Sequence, residues 1–172
     1  MTPGDDRAPP PLLADAMLER LARWLRVLGL DVASADKTLP DDAVVRLARA
    51  ERRVVLTRDR RLAAAHPDLA VLVRANAPRA QVVEVAERFG MRWPGEAALF
   101  RRCLVCNAPL RAATPAEVAA QAAPVAVARG EAFSACPVCG RVYWEGGHTR
   151  RMRWALAEAF GVPREVQVEE PR

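Results

Sequence analysis

Between residues 11 and 90, short solid apolar runs alternate with stretches whose apolar residues recur every three or four positions. A short solid run reads as a strand buried on both faces, and the wider spacing as an amphipathic helix. Pro11–Ala14 (PLLA) is the first strand. Met17–Leu28 follows as a helix with Leu18, Leu21, Leu25 and Leu28 on one face and Gly29 as its stop. Leu30–Ala35 (LDVASA) is a weaker second strand. Pro40–Glu51 opens on a proline and two aspartates and turns Val44, Leu47 and Ala48 inward, a second helix. Arg53–Thr57 (RVVLT) is the clearest strand, and Arg60–Ala65 is one helical turn closed by His66-Pro67. Leu69–Val73 (LAVLV) makes a fourth strand and Ala80–Phe89 a helix stopped by Gly90. Regular alternation of strand and helix predicts an α/β fold, a mainly parallel sheet with helices on both faces.

The pattern breaks at Trp93-Pro94-Gly95, which places a domain boundary there. The expected organisation is an α/β domain over 11–95, a small module over 100–153, and a C-terminal helix and tail over 154–172. Within the module the alanine-rich stretch 112–128 is a mild compositional bias, and MRWALAEAF reads as a helix. Cys103, Cys106, Cys136 and Cys139 form two C-x2-C pairs. In a reducing compartment two structural disulfides are disfavoured, whereas two such pairs supply the four thiolates of a tetrahedral Zn²⁺. Gly140, directly after the second pair, suits a turn whose N–H groups face sulfur. Four thiolates leave no open position, so the ion is structural; His148 is available to displace a ligand, but nothing requires it.

At 172 residues, about half of them apolar and 27% charged, the chain can close a core of its own. No apolar run approaches the ~20 residues of a membrane helix, and MTPGDDRAPP lacks the build of a secretory signal, so a cytoplasmic location is expected. The net charge of +5 leans toward a polyanion. All basic residues except Lys37 are arginine, which a GC-rich coding sequence explains equally well. A guanidinium fork nonetheless suits phosphate better than an ammonium.

In a parallel sheet every strand delivers its C-terminal end to one edge, where ligands bind. Asp15, Asp36 and Asp59 each follow a strand there, and Asp41 and Asp42 open the second helix. If the first and third strands are neighbours, as in a flavodoxin-like order, Asp15 and Asp59 sit about 5 Å apart. Carboxylates that close repel unless a cation lies between them, and an oxygen-only donor set selects Mg²⁺ or Mn²⁺. Singly, Asp15, Asp41 and Asp42 also read as helix caps, Asp59 as bonding the backbone of the turn after its strand, and Asp36 as a turn residue. Together they suit metal-assisted hydrolysis of a phosphodiester. Arg20, Arg23 and Arg26 recur three residues apart on the polar face of the first helix, and with Arg58, Arg60 and Arg61 they are placed to hold the phosphates of an extended strand. Arg20 and Arg58 lie nearest the proposed site. The glycine signatures of phosphate loops and dinucleotide folds and the serine elbow of hydrolases are all absent. Trp24 reads as core, and Trp144 as packing on the cysteine module.

The strings LADAMLERLARWLRVLGLD, DDAVVRLA, RVVLTRDRRL, LVRAN, CLVCNAPL and CPVCGRVYWEGGHTRRM resemble, in order and over about residues 11–153, the RNase domain first described at the C-terminus of the Mut-seven exonuclease. That is a PIN-like domain followed by a zinc ribbon. The resemblance implies metal-dependent RNA cleavage by acids at the strand ends. By position Asp15 is the acid after strand one and Asp59 the acid after strand three. Asp41 is the helix-start acid, with Asp42 as the alternative one residue on. Asn76 follows strand four, where an amide is a weaker Mg²⁺ ligand than a carboxylate, which leaves one or two catalytic ions open. The expected activity is therefore a Mg²⁺- or Mn²⁺-dependent ribonuclease on single-stranded RNA, with Arg20, Arg23 and Arg58 as RNA contacts. The alternative is a non-catalytic RNA- or ribosome-binding adaptor on the same fold. A phosphatase ranks last, because Met17 stands where its D-x-D pair needs a second aspartate.

Overall fold

The computed structural model describes residues 9–163; the rest of the tail expected over 154–172 lies outside the described residues. Two units are distinguished: one runs to Leu25 and from Leu30 to Arg92, the other takes Arg26–Gly29 and the chain from Trp93.

The first unit holds four parallel strands, β1 (Leu12–Ala14), β2 (Val32–Ser34), β3 (Val54–Thr57) and β4 (Ala70–Leu72), in the order β2-β1-β3-β4. Ala14 pairs with Ser34 on one side and Leu56 on the other, so the first and third strands are neighbours, as the flavodoxin-like reading expected. Between them run α1 (Glu19–Val27), α2 (Asp41–Glu51) and α3 (Arg60–Ala65), and α4 (Pro78–Arg88) follows the last strand. α1 is preceded by a 3-10 turn, Ala16–Leu18. α4 starts two residues before the expected Ala80, because a proline at the first helical position has no N–H to lose and the fixed backbone angle a helix needs.

Every residue of β1 is buried, which only a sheet covered on both faces allows. Leu13 and Val55 pack with Val44, Val45 and Ala48 of α2 and Leu62 of α3. Leu12, Ala14 and Leu56, of opposite parity along their strands, are buried too.

The second unit contains an antiparallel sheet of β5 (Arg111–Ala112), β6 (Phe133–Ala135) and β7 (Val142–Trp144). Trp144 stands opposite Phe133 in the β6–β7 register, their rings 6.2 Å apart, so its ring is packed in the module as expected. Trp24, read as core, is only half-buried. The alanine-rich stretch is more than a bias: it folds as α5 (Pro115–Gln121) and α6 (Pro124–Ala128), each opened by a proline. Thr114 and Glu117 form a capping box on α5, and Glu117 also grips Arg111 at 2.6 Å. The last helix, α7 (Gly147–Ala159), begins five residues before MRWALAEAF, because Thr149 Oγ1 reaches back to accept from the Gly146 N–H at 2.7 Å.

Gly29 ends α1 with φ of +83°, and a Cβ there would stand 2.6 Å from the carbonyl oxygen of Ala98. Gly29→Ala therefore meets both backbone strain and a clash, and is expected to cost about 2 kcal/mol. A thermal melt with an unchanged midpoint would show that this turn yields freely.

Candidate active site and metal centre

The buried strand end Thr57 organises the acidic edge. In β3 it stands two residues before Asp59, and its hydroxyl donates to Asp15 Oδ2 at 2.8 Å while accepting the Asp59 N–H at 3.0 Å. One side chain thus ties the two aspartates that follow neighbouring strands. Asp59 caps α3, its Oδ1 accepting from the N–H groups of Arg61 (2.6 Å) and Leu62 (3.0 Å). Asp15 is fixed through its backbone, whose N–H bonds Leu56 at 2.9 Å, and its side chain caps nothing. Oδ1 of Asp15 and Oδ2 of Asp59 have no hydrogen-bond partner among the described residues.

The remaining acids share the edge without joining that pair. Asp36 closes a turn by accepting from the Thr38 N–H (2.8 Å) and hydroxyl (2.6 Å), and the hydroxyl bond chiefly lowers its pKa. Asp41 and Asp42 are the first two residues of α2, both exposed. Asp42 pairs with Arg46 one turn on, and that hydrogen bond holds its carboxyl below the usual range. No three carboxylates among the described residues close within 4.8 Å; the four cysteines are the one group of three or more donors that does.

The arginines divide. Arg20 is exposed, Arg23 pairs with Glu19 at 3.4 Å, and Arg58 donates to the side-chain oxygen of Asn76 beyond β4. Glu19 also receives the Ser34 hydroxyl at the end of β2, a sixth acid at this edge that the chain pattern did not mark. Arg26 is not on a polar face. It is 1% exposed, and its Nη1 donates to the carbonyls of Leu104 (2.9 Å) and Val105 (3.2 Å).

The metal centre is built from two matching turns. Asn107 N–H bonds the Cys103 carbonyl and Gly140 N–H the Cys136 carbonyl, each at 3.0 Å. Asn107 (φ 68°) and Gly140 (φ 71°) both take the left-handed conformation, which asparagine tolerates better than most side chains. Each turn then aims an N–H back at sulfur: Cys106 N to Cys103 Sγ at 3.5 Å and Cys139 N to Cys136 Sγ at 3.4 Å.

All four sulfurs lie within 4.8 Å of one another, the spacing of a tetrahedral tetrathiolate, so the cluster can bind a metal such as zinc. Burial works to raise the Cys103 thiol, but the Cys106 N–H, the Tyr143 hydroxyl at 3.1 Å and the Val105 N–H outweigh it and bring it down to about 6. Gln121 of α5 holds the second turn, donating to the Gly140 carbonyl at 2.9 Å and accepting from the Val142 N–H at 3.3 Å. His148 is exposed and stands outside the cluster.

Comparison with known proteins gives one positive result. A family model described as the Mut7-C RNAse domain matches residues 10–156. No curated protein and no solved structure matches the chain.

Proposed function

The chain belongs to the Mut7-C RNAse domain family, and from that premise we propose that it is a Mg²⁺- or Mn²⁺-dependent ribonuclease whose reacting centre is the Asp15–Asp59 pair. The observation that carries this reading is the Thr57 hydroxyl shared by the two aspartates, each left with one oxygen free for a ligand. Two carboxylates suffice for Mg²⁺, which keeps several waters and takes further oxygens from substrate phosphate. An ion held there supplies an activated water and neutralises charge on the scissile phosphate and leaving oxygen. Asp41, with Asp42 as its neighbour on the first turn of α2, and Asp36 beyond β2 border the same edge. They would add negative charge at the edge where an ion is held.

Arg20, Arg23 and Arg58 hold the phosphates of single-stranded RNA, Arg58 being oriented by Asn76. The cysteine cluster takes structural Zn²⁺, a role that fits a reducing cytoplasm in which thiols stay available to metal.

The test is cleavage of a labelled single-stranded RNA by the purified protein with and without the ions. Cutting that appears with Mg²⁺ or Mn²⁺ and disappears with EDTA is expected. RNA binding without cleavage, indifferent to EDTA, would replace the enzyme by a non-catalytic RNA- or ribosome-binding adaptor.

A further inference from the structure

Arg26 is a buried guanidinium that groups with the cysteine-bearing unit. The carbonyls it bonds belong to Leu104 and Val105, the two residues between Cys103 and Cys106. Each carbonyl shares a peptide group with the next N–H. The Leu104 carbonyl is joined to the Val105 N–H and the Val105 carbonyl to the Cys106 N–H, and the Cys106 N–H donates to Cys103 Sγ at 3.5 Å. A guanidinium on the oxygen side of a peptide polarises it and strengthens the donor on its nitrogen side. The second turn has the matching Cys139 N–H but no side-chain donor on the Pro137 or Val138 carbonyls among the described residues.

We propose that Arg26 is a positioning residue of the metal centre, holding the first cysteine turn by its Leu104 and Val105 carbonyls and acting through the Val105–Cys106 peptide group to stabilise the Cys103 thiolate toward the ion. Tetrathiolate zinc is an anionic centre, so a fixed cation one peptide away adds to its stability as well as to its geometry. Outer-shell partners of this kind are worth about 10–100-fold in metal affinity. The inference concerns the cysteine cluster alone and does not depend on RNA cleavage.

The experiment is competition for Zn²⁺ between the full chain and a chromogenic chelator, with the thiolate-to-Co²⁺ absorption band as a second readout. It is run on wild type, Arg26→Met and Arg26→Lys. Methionine keeps the apolar stem and loses the charge; lysine keeps both stem and charge. Zinc held about 10–100-fold less tightly by the Met variant, with substantial recovery in the Lys variant, is expected. Equal affinity in all three, or equal loss in Met and Lys, would reduce Arg26 to a packing residue and overturn the proposal. Should Arg26→Met fail to fold, Arg26→Gln, which loses the charge and keeps a polar end, replaces it under the same criteria.

Discussion

Asparagine at position 59 is expected to leave the fold intact and to lower RNA cleavage by about 10²–10³-fold. The two halves of that expectation separate because the cap uses one oxygen of Asp59 and the proposed ion the other. Its Oδ1 caps α3 through Arg61 and Leu62, and asparagine ranks with aspartate as a cap, so the first turn of that helix keeps its partner. The Asp59 N–H donates to the Thr57 hydroxyl whatever the side chain, so the bond from Thr57 to Asp15 is also kept. What disappears is the charge, and with it one of the two carboxylates offered to a divalent ion. Losing one preorganised electrostatic group at a reacting centre typically costs about 10²–10³ in rate.

Alanine at the same position adds a structural defect, about 1 kcal/mol from the missing cap, and is the poorer probe. Single-turnover cleavage with saturating Mn²⁺, read beside a thermal melt, decides the matter. An Asp59→Asn protein that melts and cuts like wild type would remove Asp59 from the chemistry and leave it as a helix cap.

The succession of strands and helices along the chain and the cysteine cluster were legible because both are local patterns repeated. Solid apolar runs such as LAVLV separate cleanly from helical spacing, and C-x2-C twice states its own ligand count. Thr57 was not legible as the link between the aspartates. A threonine ending a strand is an ordinary strand residue until β1 is known to lie beside β3 and brings Asp15 alongside.

Arg26 misled for a geometric reason. Three-residue spacing from Arg20 through Arg23 looks like one stripe, yet six residues along a 3.6-residue helix rotate by about 120°, onto a different face. The carbonyls that receive it come from residues 78 and 79 positions later, beyond any window of periodicity. The helices α5 and α6 hid in a proline- and alanine-rich stretch with no apolar stripe, and neither is longer than seven residues. Their role, visible only in three dimensions, includes Gln121 gripping the second cysteine turn.

Removal of the metal has the largest expected structural effect, and it should fall on one unit. Binding of structural zinc contributes about 10–16 kcal/mol to the fold it closes. The second unit has less else to close it: its strands are two or three residues long, and beside Val27, Leu28, Leu99, Val142 and Leu156 its buried apolar residues are alanine or the cysteines themselves. A sheet of that size is marginal without a staple. The first unit has no sulfur in its core. Leu12, Leu13, Val55 and Leu56 are fully buried there and rely on apolar contact alone.

Hydrogen exchange on chelator-treated protein, or on Cys136→Ser, should therefore show β5–β7 and both cysteine turns losing protection while β1–β4 keep theirs. Arg26–Gly29 should go with the former, because the last turn of α1 and its glycine stop group with the cysteine unit and Val27 accepts the Phe100 N–H at 2.8 Å. Collapse of all seven strands in one step would mean that the two units share a single cooperative core. Retained protection in β5–β7 would mean that capping boxes and short helices hold the cysteine turns without an ion.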